Sequence, residues 1–268
     1  MKILLFILLS FVALNATVYY SKVEPLEVKK TASNVTGVVL FIDEDMIGKK
    51  LTKDSYIKID AKLDKDELVF LKEKLEYVRK TVIINENILK NLKELLEKKR
   101  DNYEKVKTLK IKSSVEKDRE FYELIGSENT YLSTQKEINN LKSQITDFKL
   151  RIAQLQRSIE DKNLNDEGYV LYSIDVKLGQ VVNKSTPLAT LMNMSQAILT
   201  IYLDEDDLEG LQNKVIYING IKTKYKVDRL LTMSDSENIS KYRAQIIVKA
   251  PKIFSKLVEI EFKENINE

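Results

Sequence analysis

The sequence predicts an α+β protein in which a long antiparallel coiled-coil hairpin of two α-helices is inserted into a split β domain. A β-barrel domain is expected at the C-terminal end. Three observations lead to this fold class. Residues 61–162 contain no proline and repeat apolar residues at heptad spacing. The segments on either side of this stretch match each other as an internal repeat. After residue 195, short strands alternate with turn residues.

The N-terminal segment has the features of an export signal. Lys2 precedes an apolar run over residues 3–14, which Asn15 and Ala16 follow. The run is short for a membrane span, so we expect cleavage near Ala16, with retention as an anchor as the alternative. Residues 1–16 are therefore assigned as a signal peptide, and the remaining chain is expected outside the cytoplasm.

Residues 17–61 are predicted to hold the first β segment. A strand over residues 18–23 is expected to end before Pro25, because proline lacks the amide hydrogen of a strand interior. Further strands are predicted at residues 26–28 and 35–42.

The second β segment, residues 163–194, repeats the first at a constant offset of 131. Gly37 and Gly48 recur as Gly168 and Gly179, and Leu40 falls on Leu171. A copy of this size cannot bury an apolar face by itself. We therefore expect the two segments to pack together, which brings both ends of the helical stretch to one place.

Residues 62–162 are predicted to form the helical hairpin. The first arm carries an apolar seam at Leu68, Leu71, Leu75, Val78, Val82, Leu89, Leu92, Leu96, Tyr103 and Val106. The second arm carries a seam at Ile138, Leu141, Ile145, Phe148, Ile152, Leu155 and Ile159. Residues 107–118 lose the repeat and are expected to reverse the chain. A bundle core or a filament segment is the alternative, but the charged faces beside each seam favour a two-stranded hairpin.

Residues 195–268 are predicted to form a small β barrel or sandwich. Val215–Ile218 is joined to residues 221–227 across Asn219 and Gly220, which is a strong two-residue hairpin signal. Strands at residues 198–203, 242–248 and 257–262 complete the set, and the N-terminal strand is a candidate to close it.

The composition excludes several classes of site. With no cysteine and no histidine, the chain has no disulfide, no Cys nucleophile, no His general base and no zinc site built on those ligands. Its 44 basic and 41 acidic residues are interleaved and leave a net charge of +3, which does not indicate a nucleic-acid partner.

Two charged motifs are interpreted as ordinary surface. The acidic run over residues 204–207 lacks the spacing and central glycine of a calcium loop, so a solvated strand end is the simpler account. Gly48, Lys49 and Lys50 lack the upstream glycine of a phosphate-binding loop. We predict a protein that is not an enzyme and holds no cofactor or metal.

The most specific segment is residues 168–194, GYVLYSIDVKLGQVVNKSTPLATLMNM, followed by AILTIYLDEDDLEGL. It resembles the second lipoyl half-motif of the periplasmic adaptors, which are also called membrane fusion proteins or HlyD-like proteins. The resemblance implies a split lipoyl-like domain, or barrel-sandwich hybrid, that contains Gly37, Gly48, Gly168 and Gly179. The hairpin and the β barrel complete the family architecture.

The resemblance also implies a contact site at the hairpin tip. Family members that dock on an outer-membrane duct often carry Arg, then Leu four residues later and Ser seven residues after that. Asn102, Val106 and Ser113 stand at these positions, with Asp118 beyond, and Arg100 or Lys105 is a candidate to replace the missing Arg. The Ser113 hydroxyl is expected to lie outside the seams and to be free for the duct.

The function implied is that of an adaptor in the periplasm, exported by its signal and associated with the inner membrane through its transporter partner. It would bridge an inner-membrane transporter, proton-driven or ATP-driven, and an outer-membrane channel, and it would self-associate as a hexameric ring. The alternative is a coiled-coil structural or interaction protein of the envelope with no transport role.

Overall fold

The structure, a computed structural model, describes residues 17–234 and 241–264. Two long helices run side by side as a hairpin, and strands form two sheets at its base. The predicted signal peptide lies outside the described residues.

The hairpin consists of α1 (Lys62–Thr108) and α2 (Ser114–Asp161). The 47 residues of α1 correspond to a length of about 70 Å at the rise of an α-helix. The Asp60 carboxylate accepts a hydrogen bond of 2.9 Å from the Lys62 amide at the start of α1. The reversal between the helices is shorter than predicted, because residues 107–108 and 114–118 belong to the helices.

The predicted heptad seams are confirmed. Leu75, Val82 and Leu96 of α1 and Ile138, Leu141 and Leu155 of α2 are buried. The remaining seam residues are at least half-buried. Lys99, which interrupts the first seam, forms an ion pair with Glu123 of the opposite helix. A polar residue at a seam position is thus paired across the hairpin, as expected for a polar group between helices.

The strands, in chain order, are β1 (Val18–Ala32), β2 (Gly37–Ile42), β3 (Ile57–Ile59), β4 (Asn163–Leu164), β5 (Val170–Ile174), β6 (Val181–Val182), β7 (Pro187–Leu203), β8 (Val215–Ile218), β9 (Ile221–Lys222), β10 (Arg229–Ser234), β11 (Tyr242–Lys249) and β12 (Leu257–Lys263). One sheet has the order β4-β3-β2-β6. The other follows the path β10-β11-β7-β1-β12-β8-β9, with β5 also paired to β7.

The two β segments that flank the hairpin share one hydrophobic core, as predicted. Val39, Tyr56 and Ile57 from the first segment pack with Leu171 and Val182 from the second, and all five are buried. The β3–β4 pairing also joins the two ends of the hairpin, because the Ile59 amide donates to the Lys162 carbonyl at 2.8 Å.

The predicted constant offset of the repeat is wrong by one residue in the strands. Val39 is the counterpart of Leu171, since Gly179 donates to the Val39 carbonyl as Gly48 donates to that of Leu171. Leu40, the predicted match, is 56% exposed. The offset of 131 holds in the turns, where Gly48 and Gly179 have φ of 81° and 79°. Such values favour glycine.

Gly37 and Gly168 are not equivalent in the structure. Gly168 has φ of 95°, whereas Gly37 lies in β2 and pairs with Val182. A Cβ on Gly37 would lie 2.6 Å from the Ile59 side chain, so the glycine is required there by a close approach of two strands.

The second core lies among β1, β7, β8, β11 and β12. The N-terminal strand does pair with the last strand, but it does not end before Pro25: β1 pairs with β12 first, then with β7, and a bulge follows the proline. The strand predicted over residues 221–227 ends at Lys222, and β10 was not predicted. Among the described residues, no pairing joins β10 to β9, so the path of strands stays open.

Candidate functional site

The hairpin tip is formed by residues 109–113 and by the ends of the two helices. Ser113 caps α2: its hydroxyl accepts from the Glu116 amide at 3.3 Å, and the Glu116 carboxylate accepts from the Ser113 amide at 3.0 Å. This reciprocal capping box satisfies two amides that a helix start leaves without partners.

The Glu116 carboxylate is strongly stabilised in its charged form. A hydrogen bond from Lys112, followed by those from the Ser113 amide and hydroxyl, lowers the pKa of Glu116 to about 2. The Ser113 hydroxyl therefore already has two partners within the tip, whereas the resemblance implied a hydroxyl used for the duct.

The tip residues implied by the resemblance lie on both sides of this turn. Asn102 and Val106 are in α1, Ser113 is the cap and Asp118 is in the second turn of α2. Asn102, Ser113 and Asp118 are exposed, and Val106 is half-buried at the end of the seam. Their role in partner contact stays a prediction.

The apex exposes apolar side chains that the sequence analysis did not single out. Leu109, Ile111 and Val115 are 42%, 89% and 75% exposed. These residues could be found in the sequence as large aliphatic residues in a segment that has no heptad spacing. Such a segment offers them no partner within the hairpin.

A second apolar stripe lies on the outer side of α1. Leu63, Phe70, Tyr77 and Ile84 recur at every seventh residue, and Ile88 and Leu95 extend the stripe at helical spacing. All six are exposed, from 43% at Ile88 to 81% at Leu63. The heptad spacing of this stripe is readable in the sequence, but the hairpin prediction needed only one seam per helix, so the stripe was not predicted.

Exposed apolar residues also lie on the outer side of α2. Their heights along the hairpin axis fall within the length of the stripe on α1. The contacts of Lys99 with Glu123 and of Tyr103 with Phe121 show the register of the two helices. In this register Leu150 lies at a height between Phe70 and Tyr77, and Leu132 lies at a height between Ile88 and Leu95. Leu132 and Leu150 are 52% and 61% exposed.

The base of the hairpin is held by a cluster of polar contacts. The Lys162 ammonium lies 3.0 Å from the Asp64 carboxylate, which also accepts a hydrogen bond from the Ser158 hydroxyl. Burial raises the pKa of Asp64, but the hydrogen bonds from Ser158 and Lys162 outweigh burial and leave the pKa lowered.

A second cluster joins the β segments beside the base. Asp166 accepts hydrogen bonds from the Tyr56 hydroxyl at 2.7 Å and from Lys29 at 2.6 Å. Burial, and then the hydrogen bond to Asp166, raises the pKa of Tyr56. The hydrogen bond to Asp166 likewise raises the pKa of Lys29. Tyr56 and Lys29 therefore stay in their ordinary charge states, and the cluster is structural.

Among the described residues, His, Cys, Asp and Glu side chains do not form a group of three that could hold a metal ion. In the acidic run, Asp207 accepts a hydrogen bond from Tyr19 and Asp204 lies 3.6 Å from Lys241. Within residues 17–234 and 241–264, no helix is both long and apolar enough to cross a bilayer.

The chain is similar to known proteins in its structure. No protein-family model matches the chain, and no curated protein matches it in sequence. Its structure is similar to that of MacA from Actinobacillus actinomycetemcomitans, with a TM-score of 0.67 and 14% identity over 92% of this chain and 78% of MacA. A putative efflux transporter from Bacteroides eggerthii gives a TM-score of 0.60 at 13% identity, over 93% of this chain and 69% of that one.

The chain has the fold of the membrane fusion proteins. A third structure, the membrane fusion protein Spr0693 from Streptococcus pneumoniae, has a TM-score of 0.56 at 10% identity and is covered over its full length, with 93% of this chain. The resemblance to the adaptor family that the sequence carries is thus confirmed in the fold.

Proposed function

We propose that this chain is a periplasmic adaptor subunit that bridges an inner-membrane transporter and an outer-membrane channel for efflux or export. The observation that carries the proposal is the long hairpin, which has unpartnered apolar residues along its outer sides and at its apex. An envelope coiled-coil protein that served only as a spacer would need no exposed apolar residues at these places. Contiguous exposed apolar residues mark contacts with other proteins.

The stripe on α1 supports lateral association of hairpins. Leu150 of one copy would pack between Phe70 and Tyr77 of the next, and Leu132 would pack between Ile88 and Leu95, since they lie at these heights in the hairpin. The contact joins different faces of two copies, and such a contact produces a closed ring when its rotation closes. We propose a ring of hairpins around a central path, and the family resemblance favours six copies.

The apex supports an end-on contact with the outer-membrane channel. Leu109, Ile111 and Val115 would supply the apolar centre of this contact, and Asn102, Val106, Ser113 and Asp118 would lie around it. A small contact of this kind depends on a few desolvated side chains.

In this proposal, residues 17–61 and 163–194 are the halves of a lipoyl-like domain, and residues 195–268 are a β-barrel domain. Both would pack in the ring and contact the transporter, proton-driven or ATP-driven. The contribution is structural: the protein positions and seals other components and performs no catalysis. The signal peptide would direct it to the periplasm, where its transporter partner holds it at the inner membrane.

The ring is tested by disulfide crosslinking, for which the absence of cysteine makes the chain suitable. A Tyr77→Cys, Leu150→Cys double variant should form a ladder of covalent oligomers on oxidation. The matched control is Lys80→Cys with Leu150→Cys, which places one thiol on an exposed polar residue one turn away. Equal ladders in both variants would contradict the contact.

The bridging role is tested by copurification from membranes. An adaptor should bring down a transporter and a channel together, whereas an envelope coiled-coil protein without a transport role should bring down neither. Loss of both partners in the Ile84→Asp variant, with normal protein level, would connect the stripe to assembly.

A further inference from the structure

A cleft of about 630 Å³ lies between the two β cores. Val28 and Pro25 of β1, Ile47 of the turn before β3, Met192 of β7 and Phe254 before β12 line its walls. Its volume falls within the range of about 300 to 1,000 Å³ that is usual for small-molecule sites, and junctions between domains are preferred places for such sites. The proposed assembly of hairpins makes no use of it.

The walls are apolar and adaptable. Val28 and Ile47 are 51% and 46% exposed, so their burial by a ligand would be favourable. Met192 and Met194 add two flexible thioethers, which adjust to ligands of irregular shape and make favourable contacts with aromatic rings. The cleft therefore fits the apolar part of a small molecule.

The rim carries two opposite charges. Lys22 and Glu24 are exposed and lie two residues apart on one face of β1, a separation of about 7 Å along a strand. Among the described residues neither side chain has an ion-pair partner, although each lies beside the other. A ligand with one charge would meet attraction from one side chain and repulsion from the other.

We infer that this cleft binds a zwitterionic amphiphile, with its apolar chain against Val28, Met192 and Phe254 and its two charges on Lys22 and Glu24. The anionic group of the ligand would lie at Lys22 and the cationic group at Glu24. A site with both charges discriminates against singly charged amphiphiles of the same chain length.

The absence of tryptophan provides a selective reporter. In the mature chain, Val28→Trp places a single tryptophan in the cleft wall, and Val69→Trp, at a 54% exposed position of α1, is the matched control. Decylphosphocholine, kept below its micelle concentration, should shift the emission of the Val28→Trp protein to the blue in a saturable way. The Val69→Trp protein should not respond.

Rim variants in the Val28→Trp background test the charges. Lys22→Gln and Glu24→Gln should each weaken binding about threefold, as expected for a partly exposed ion pair. Lys30→Gln, a further exposed lysine of β1 outside the cleft, should leave it unchanged. Decyltrimethylammonium and decyl phosphate should bind more weakly than the zwitterion.

Three results would overturn the inference. An equal response from Val69→Trp would mean non-specific adsorption of the amphiphile. Unchanged binding in both Lys22→Gln and Glu24→Gln would show that the rim charges do not contribute to binding. A tryptophan at position 28 that becomes buried as protein concentration rises, without ligand, would assign the cleft to a second copy of the chain. None of these results depends on the proposed bridging function, because each is measured on the purified chain.

Discussion

Lys162 and Asp64 form an ion pair with 3.0 Å between the ammonium nitrogen and a carboxylate oxygen. Asp64 lies in the first turn of α1, and Lys162 follows the last residue of α2. The side chain of Asp64 is 20% exposed and that of Lys162 is 9% exposed, so the pair is largely removed from water. Because the Lys162 carbonyl also accepts from Ile59 of β3, the pair fixes the hairpin to the sheet.

Removal of one partner should destabilise the base of the hairpin. Lys162→Met leaves the Asp64 carboxylate without its cation, and we expect a loss of about 2 kcal/mol in the free energy of unfolding. Lys142→Met is the control, since its ion pair with Glu86 is about half exposed and should contribute less than about 0.5 kcal/mol. Urea denaturation of both variants measures the difference. Equal effects would show that burial of the Lys162 pair has no energetic consequence.

The pair should also make stability depend on pH. The pKa of Asp64 in the folded protein is lowered, although burial opposes the hydrogen bonds from Ser158 and Lys162. The carboxylate therefore stabilises the fold above its unfolded pKa of about 3.9, and this contribution is lost as the pH falls through the folded value. The stability difference between the wild type and Asp64→Asn should be constant from about pH 7 to 5 and shrink below about pH 4. A difference that stays unchanged at pH 3 would contradict this account.

The hairpin could be predicted from the sequence because its information is local. A heptad repeat such as Leu75, Val82 and Leu89 specifies both the helix and its buried face, and these seams are the ones observed. The stripe at Tyr77 and Ile84 was equally local, but one seam per helix was sufficient for a two-stranded hairpin. It was therefore overlooked.

The β part was predicted less well because its details depend on contacts between distant residues. Val39 rather than Leu40 corresponds to Leu171, because Gly48 follows Val39 by nine positions whereas Gly179 follows Leu171 by eight. β1 continues past Pro25 because its pairing changes from β12 to β7 at Val23 and a bulge follows the proline. The Ser–x–x–Glu spacing of Ser113 and Glu116 already indicates a capping box. The family resemblance had instead led us to predict that Ser113 contacts another protein.

The two apolar faces of α1 should respond differently to the same substitution. Val82 is 7% exposed in the seam, so Val82→Asp should place a charge between the helices and cost about 3 kcal/mol or more of stability. Ile84 is 58% exposed, so Ile84→Asp should leave thermal unfolding nearly unchanged and abolish self-association. Circular dichroism and analytical ultracentrifugation distinguish the two effects. Loss of helicity in Ile84→Asp would mean that the stripe is an internal contact.

The shared β core should fold without the hairpin. Val39 and Ile57 pack against Leu171 and Val182, and the β3–β4 pairing brings the two ends of the hairpin together. Replacement of residues 63–161 by a short Gly/Ser linker should therefore give a soluble protein with a β-type circular dichroism spectrum and cooperative unfolding. An aggregated product would show that the arm is needed to hold the segments together.

The cap of α2 should be separable from any contact with a partner. Ser113→Ala removes the side chain that accepts from the Glu116 amide, and we expect fraying of the first turn at a cost of about 1 kcal/mol. Ser143→Ala, at an exposed position inside α2, should be neutral. Amide hydrogen exchange at residues 114–117 measures the effect. Unchanged protection in Ser113→Ala would show that the capping box does not hold this turn.

The apex itself provides the most direct test of docking on a channel. Ile111 is 89% exposed and makes no seam contact, so Ile111→Asp should leave the hairpin intact while it introduces a charge at the centre of the proposed contact. We expect loss of export or drug tolerance and of crosslinking to the outer-membrane component, with protein level and transporter binding unchanged. Val106→Asp should give the same loss, but Val106 ends the seam and its variant also frays the arms. Lys110→Asp, beside Ile111 in the same loop, is the matched control for added negative charge and should retain more activity if apolar contact dominates. If the Ile111→Asp variant exports like the wild type, the apex is not the docking surface. The presence of Asn102 where the family has Arg would then indicate that this protein does not dock through its tip.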